Sequence, residues 1–181
     1  MDFSLNDGMA LLDRTPAALN ALLRGLPDAW VRRNEGPGTW SAFDVVGHLI
    51  HADRTNWLPR ARVILDRGEP ASFPPFDREG HRSACTGRSL DELLDEFIRV
   101  RAEQLEALRA MSLTHQDLAR TAHHPAFGEV TLRQLLSTWA AHDLNHLHQM
   151  TRVLAHPCRA AVGPWSRFLG VMQCAGHGAP A

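Results

Sequence analysis

Apolar residues recur every three or four positions through four stretches of the chain, and strict alternation is almost absent. That period predicts helices. The first stretch runs from Leu5 to Leu26 and is interrupted by Thr15-Pro16. Thr suits the position that caps a helix and Pro the first helical position, so a helix is expected from there to about Leu26, with at most a short turn before it. Residues 27–39 carry Gly-Pro-Gly and read as loop. Ser41 then caps a second helix, with Asp44 in the first turn where the helix dipole favours a carboxylate. Val45, Val46, Leu49, Ala52 and Trp57 give it a broad apolar face, and Pro59 is expected to kink or break it. The pattern resumes through Ile64-Leu65 and stops at Gly68-Glu69-Pro70.

The third stretch begins at Ser89, with Asp91 and Glu92 in its first turn, and runs to about Met111. Thr131-x-x-Gln134 is a capping box that opens the fourth, which ends near Ala155 before His156-Pro157. Pro164 to about Met172 suits a short terminal helix, and the last residues, AGHGAPA, read as a frayed tail. Between the long helices lie the Pro/Gly-rich residues 68–88 and the loop 112–130. A connection of about twenty residues is uncommon in a compact domain and is often functional. The expectation is an all-α, four-helix bundle with a short additional C-terminal helix, occupying 1–181 as one domain.

Composition narrows the chemistry. The chain has 181 residues and a net charge of −1, so no basic field invites nucleic acid or an anionic membrane. All 19 basic residues are Arg, which removes lysine Schiff-base chemistry and the P-loop lysine. Three cysteines stand far apart with no CxxC, arguing against a disulfide framework or a Cys-based zinc site. The amino terminus has no basic region followed by an apolar one, and no apolar run approaches the ~18–20 residues of a membrane span. A cytoplasmic protein without a membrane partner is therefore expected.

The unusual number is 11 histidines. In the fourth stretch, Leu132, Leu135, Leu136, Trp139, His142, Asp143, His146, Met150 and Val153 share one face. His142 and His146 thus replace apolar residues on the face that meets the interior, one turn apart, as in helical zinc sites. Such a pair is weak alone, because roughly 0.6 of them are expected by accident at this histidine content. The plainer reading is two half-buried histidines bonded to backbone or carboxylate. On the second stretch His48 lies among Val45, Leu49 and Ala52, and His51 one turn later is its rival. Three imidazoles on the core faces of two helices are hard to explain by packing, since each needs a polar partner when buried. A three-histidine set with open positions suits a metal that does chemistry. His123 and His124 read as turn residues, His81 and Cys85 as exposed in the long loop, His148 as solvated, and His156 as a helix-end histidine. No GxSxG, HExxH or Gly-rich phosphate loop occurs.

Three stretches resemble the DinB-like (YfiT-like) superfamily, in order from about residue 40 to 155. They are Trp40-Ser41 with Val45-Val46-Gly47-His48-Leu49, then His124-Pro125-Ala126-Phe127-Gly128-Glu129-Val130-Thr131-Leu132, then Trp139-Ala140-Ala141-His142-Asp143-Leu144-Asn145-His146 continuing into Gln149-Met150. The resemblance implies a four-helix bundle with His48, His142 and His146 as ligands to a divalent metal, zinc or nickel, often in a homodimer. It implies a choice of activities. One is transfer of a low-molecular-weight thiol (bacillithiol, mycothiol or glutathione) to a small electrophilic substrate. Others are thiol-dependent maleylpyruvate isomerisation, metal-dependent hydrolysis, and no catalysis at all in a stress-induced binding protein. Thiol transfer is the leading expectation, because hydrolases of this type generally have a carboxylate base near the ion and none is obvious here. Asp143 and Asn56 are candidates for orienting the imidazoles. The 68–88 loop is a candidate cover for the mouth of the site.

Overall fold

The computed structural model describes residues 4–67 and 71–174. Gly68-Glu69-Pro70, where the second pattern was expected to stop, and the tail from Ala175 lie outside the described residues. Four long helical rods form the bundle: α1 (Leu5–Leu23), then α2 (Ala42–Ala52) continued through a π-helical turn (Asp53–Trp57) into α3 (Leu58–Asp66), then α4 (Leu90–Ala110) and α5 (Leu132–Ala155). Helix α1 packs on α4 and α5, and α2 packs on both as well.

The caps fall where the side chains dictate. Ser41 with Asp44, Ser89 with Glu92, and Thr131 with Gln134 each form a reciprocal capping box, so two backbone donors are satisfied at each start. One expected start moves. Helix α1 begins at Leu5, capped by Ser4, and passes through Thr15-Pro16 without a break. Pro16 has no N–H to give to the Leu12 carbonyl, which would cost a bond inside a helix. Here the buried Arg101 of α4 donates its Nη1 to that carbonyl at 2.8 Å, so the gap is filled from across the bundle.

Pro59 acts through a wider turn. The π-helical segment precedes it and places it in the first turn of α3, where a missing N–H is harmless. The rod continues, but its faces are rotated, and Asp53, Asn56 and Trp57 all become buried.

The connections are more ordered than their composition suggests. Residues 27–39 include a short helix, Asp28–Val31. Ala71 and Phe73 exchange backbone hydrogen bonds with His123 (2.9 and 3.0 Å), which pins the long loop near its start. The loop then forms a short helix, His81–Cys85, packed on α2. His81 and Cys85, expected to be exposed, are buried instead. The cause is Gly47: a Cβ there would sit 2.4 Å from the Cys85 Sγ, so only glycine lets this helix lie so close. Residues 112–130, expected as loop, hold a helix (His115–Ala119) and an antiparallel hairpin, β1 (Thr121–His124) with β2 (Gly128–Thr131). Beyond α5 the chain runs through short turns to Gln173, with a 3₁₀ segment (Gly163–Phe168) and a four-residue helix (Gly170–Gln173) where one terminal helix was expected.

Two apolar clusters fill the bundle. One gathers Leu19, Leu23, Val45, Leu49, Leu94, Phe97 and Met150; the other gathers Leu12, Trp57, Leu58, Leu105, Leu136 and Trp139. Along both α4 and α5 the change from one cluster to the other comes at buried polar residues: Arg101 on α4, and Asp143 and His146 on α5. The candidate site lies in that polar layer.

Candidate metal centre

Helix α2 carries His48, and α5 carries His142 and His146 one turn apart. The three rings meet. His142 Nε2 lies 3.2 Å from His48 Nε2 and 3.1 Å from His146 Nε2, and all three nitrogens are within 4.8 Å of one another. His51 stays out: its Nε2 faces the Asp77 carbonyl at 3.0 Å and its ring lies on Phe76. Aromatic rings wall the cluster. Trp40 lies 4.6 Å from His48 and stacks toward His146 at 6.2 Å, Trp57 meets His142 edge-on at 5.1 Å, and Phe76 meets His48 at 5.8 Å.

The protonation states suit a ligand set. Burial, reinforced by the positive character of His146 and His81, lowers the His48 pKa to about 3. Burial, with His146 and His48 adding to it, lowers that of His142 to about 2. Both rings are therefore neutral at pH 7. The His146 Nδ1 pairs with the Gln149 Oε1 at 2.8 Å, so that nitrogen carries the proton and Nε2 presents a lone pair to its two neighbours. Two N–H···N bonds could satisfy part of such a trio, but neutral imidazoles converging on one point are what a single cation requires. With metal–nitrogen bonds of about 2.05 Å, tetrahedral ligand nitrogens sit roughly 3.3 Å apart, close to the two separations that His142 makes with His48 and His146. An all-imidazole set suits zinc, nickel and their neighbours and disfavours calcium or magnesium.

The expected orienting groups behave differently from one another. Asp143 gives both oxygens to Arg101 (2.5 and 3.2 Å) and makes no bond to an imidazole. Asn56 is buried with its Oδ1 unpartnered, as are the Nδ1 atoms of His48 and His142, so the rings around them hold these two imidazoles. His148 is half-buried, where solvation was expected.

Arg101 is the residue the sequence reading missed. All five of its N–H groups are used: two on Asp53 (2.7 and 3.1 Å), two on Asp143 and one on the Leu12 carbonyl. Trp139 Nε1 adds a bond to Asp53 at 3.0 Å. Burial pushes the Asp53 carboxyl up to about 6 against the pull of Arg101. Arg101 sits on the stripe Leu94, Phe97, Leu105, Leu108, and a lone Arg on an apolar face was the available signal. Asp53 offered the same signal, a lone charge four residues after Leu49 and four before Trp57 on the apolar face of its helix. Of the loop, Phe76 reaches His48 and Arg78 lies over Trp40, while the Asp77 carbonyl meets the excluded His51.

A family model described as the DinB superfamily matches residues 11–150. Protein YuaE of Bacillus subtilis (strain 168) is 28% identical over 150 residues, covering 72% of this chain and 87% of that protein. YfiT of Bacillus subtilis, described with its structure as a probable metal-dependent hydrolase with an unusual four-helix bundle topology, superposes with a TM-score of 0.72 at 20% identity, covering 88% of this chain and 90% of that one. TT2238, described as a four-helix bundle protein, superposes with a TM-score of 0.53 at 27% identity, covering 81% and 98%.

Proposed function

Since the chain belongs to the DinB superfamily, we propose that His48, His142 and His146 hold a divalent transition metal, zinc or nickel, and that the protein is an enzyme transferring a low-molecular-weight thiol to a small electrophile. The observation that carries this reading is the convergence of three imidazole nitrogens in a cluster containing no Asp, Glu or Cys. A bound ion would supply the Lewis acidity that lowers the pKa of a thiol or water beside it. The chain's own groups do the rest. Gln149 fixes the tautomer of His146. Trp40, Trp57 and Phe76 hold the rings of His48 and His142 and keep water from their edges.

Thiol attack needs no carboxylate base, because a thiol close to its pKa already supplies its own nucleophile. Water attack generally does need one, and the buried carboxylates among the described residues, Asp53 and Asp143, are committed to Arg101. Hydrolysis is the second reading, supported by the description of YfiT. A turnover screen separates them. Purified metal-loaded protein is given a chlorinated or epoxide electrophile with and without glutathione, bacillithiol or mycothiol. Product that requires the thiol supports transfer. Product from an ester with water alone supports hydrolysis. Metal bound with no turnover across the panel supports a binding protein.

A further inference from the structure

We propose that Arg78 binds an oxyanion group, carboxylate or phosphate, of the small substrate or cosubstrate at the mouth of the three-histidine site. This deepens the reading above and rests on it for the site's occupant. The geometry begins with the loop backbone, which is pinned on both sides of the residue. Phe76 packs on His48 and His51, the Asp77 carbonyl meets His51 Nε2 at 3.0 Å, and the Arg78 carbonyl meets His81 Nδ1 at 3.1 Å. The Arg78 side chain lies over Trp40, with its guanidinium carbon 5.8 Å from the ring centroid. That same indole borders His48 and His146. The guanidinium is thus held one aromatic ring away from two of the three imidazoles.

Arg78 has no ion-pair partner among the described residues. Most exposed Arg side chains carry little meaning, but the neighbouring carboxylates here all have other partners. Glu79 accepts from Trp40 Nε1 at 3.2 Å and from Arg82, Asp77 accepts from the Glu79 backbone, and Asp44 is used by its capping box. Among the described residues none of them forms an ion pair with Arg78. By contrast Arg54 and Arg88 share Glu96, and Arg152 holds Glu35. Arg78 and Arg82 face Asp44, Asp77 and Glu79 here, so a divalent ion held by the imidazoles, in a cluster without a carboxylate, would supply the excess positive charge. A guanidinium without an ion-pair partner, held 5.8 Å over the indole that borders the ligand set, presents its fork of donors to a planar or tetrahedral oxyanion. Glutathione-class thiols and carboxylic-acid electrophiles both bring such a group.

The test uses the full chain incubated with zinc, titrated calorimetrically with benzoate, phenyl phosphate and the neutral analogue benzamide. Zinc content is measured on each sample. In Arg78→Met the oxyanion that binds the wild type should bind about 10- to 100-fold more weakly, the range expected for a lost charged hydrogen-bond pair. Benzamide affinity and zinc content should not change, and Arg78→Lys should recover part of the loss. Which of the two oxyanions binds identifies the group recognised. The proposal is overturned if neither binds the wild type, if Arg78→Met binds them within about twofold of it, or if benzamide falls in step. Absence of zinc from the wild type would overturn the metal reading alone, because the comparison of Arg78 variants is still read on the metal-free chain.

Discussion

At the residue scale, the site turns on keeping imidazoles neutral in a buried, aromatic setting. The pKa of His48 and His142 is lowered from 6.5 to about 3 and about 2 by burial first. Unfolding returns both rings to water, where they regain protons below about 6.5. The unfolded state therefore binds more protons than the folded one from that pH downward, and stability is lost as pH falls. Metal-free protein should melt at progressively lower temperature from pH 6.5 to 5, above the range where ordinary carboxylates titrate. Asp53, raised by burial, works in the opposite direction below about 6, so the comparison must be with a variant that retains it. A His48→Gln/His142→Gln double variant, followed by circular dichroism melts, should show a flatter slope than the wild type. Equal slopes would mean the two imidazoles are not the groups that titrate. The three histidines were legible because His142 and His146 fall on an apolar stripe and His48 among apolar neighbours. Arg101 was less so: its position was visible, but a charge among leucines reads as an exception until its five hydrogen bonds are seen. The burial of His81 was not legible at all, because it depends on a loop helix closing over Gly47.

At the scale of elements, two contacts hold the site's supports in place. Arg101 ties the π turn to α5 through Asp53 and Asp143, the latter beside His142. Taking two carboxylates and a guanidinium out of water is costly, and the balance rests on complete pairing. Arg101→Met should cost about 3–5 kcal/mol in chemical denaturation, because it strands two buried acids. A loss below about 1 kcal/mol would show that the acids find other partners. Gly47→Ala should cost about 1–3 kcal/mol, since the new methyl meets the Cys85 Sγ on the short loop helix. Adding Cys85→Ala should recover most of it in a double-mutant cycle, and no recovery would place the strain elsewhere. Periodicity and capping residues made α2, α4 and α5 legible to within a residue at their starts. Thr15-Pro16 misled because the bond that Pro16 forgoes is replaced from another helix, which no local pattern reveals. The hairpin escaped because its strands are four residues each and lack alternation.

At the scale of the whole molecule, the apolar core and the histidine cluster occupy different places. Two apolar clusters supply the core, and the histidines occupy the polar layer between them. No helix among the described residues is long and apolar enough to cross a membrane. Chelation should therefore leave the helical spectrum intact while lowering the melting temperature, since a ligand of the folded state stabilises it by mass action. Loss of helicity on chelation would make the ion a structural element instead. The most direct test of the central claim is elemental analysis of the purified chain beside its His142→Ala and His146→Ala variants, after equilibration with zinc or nickel. The account predicts about one ion per wild-type chain, held by its ligand nitrogens, and little in either variant. A wild type that takes up neither metal, or variants as fully loaded as the wild type, would contradict it.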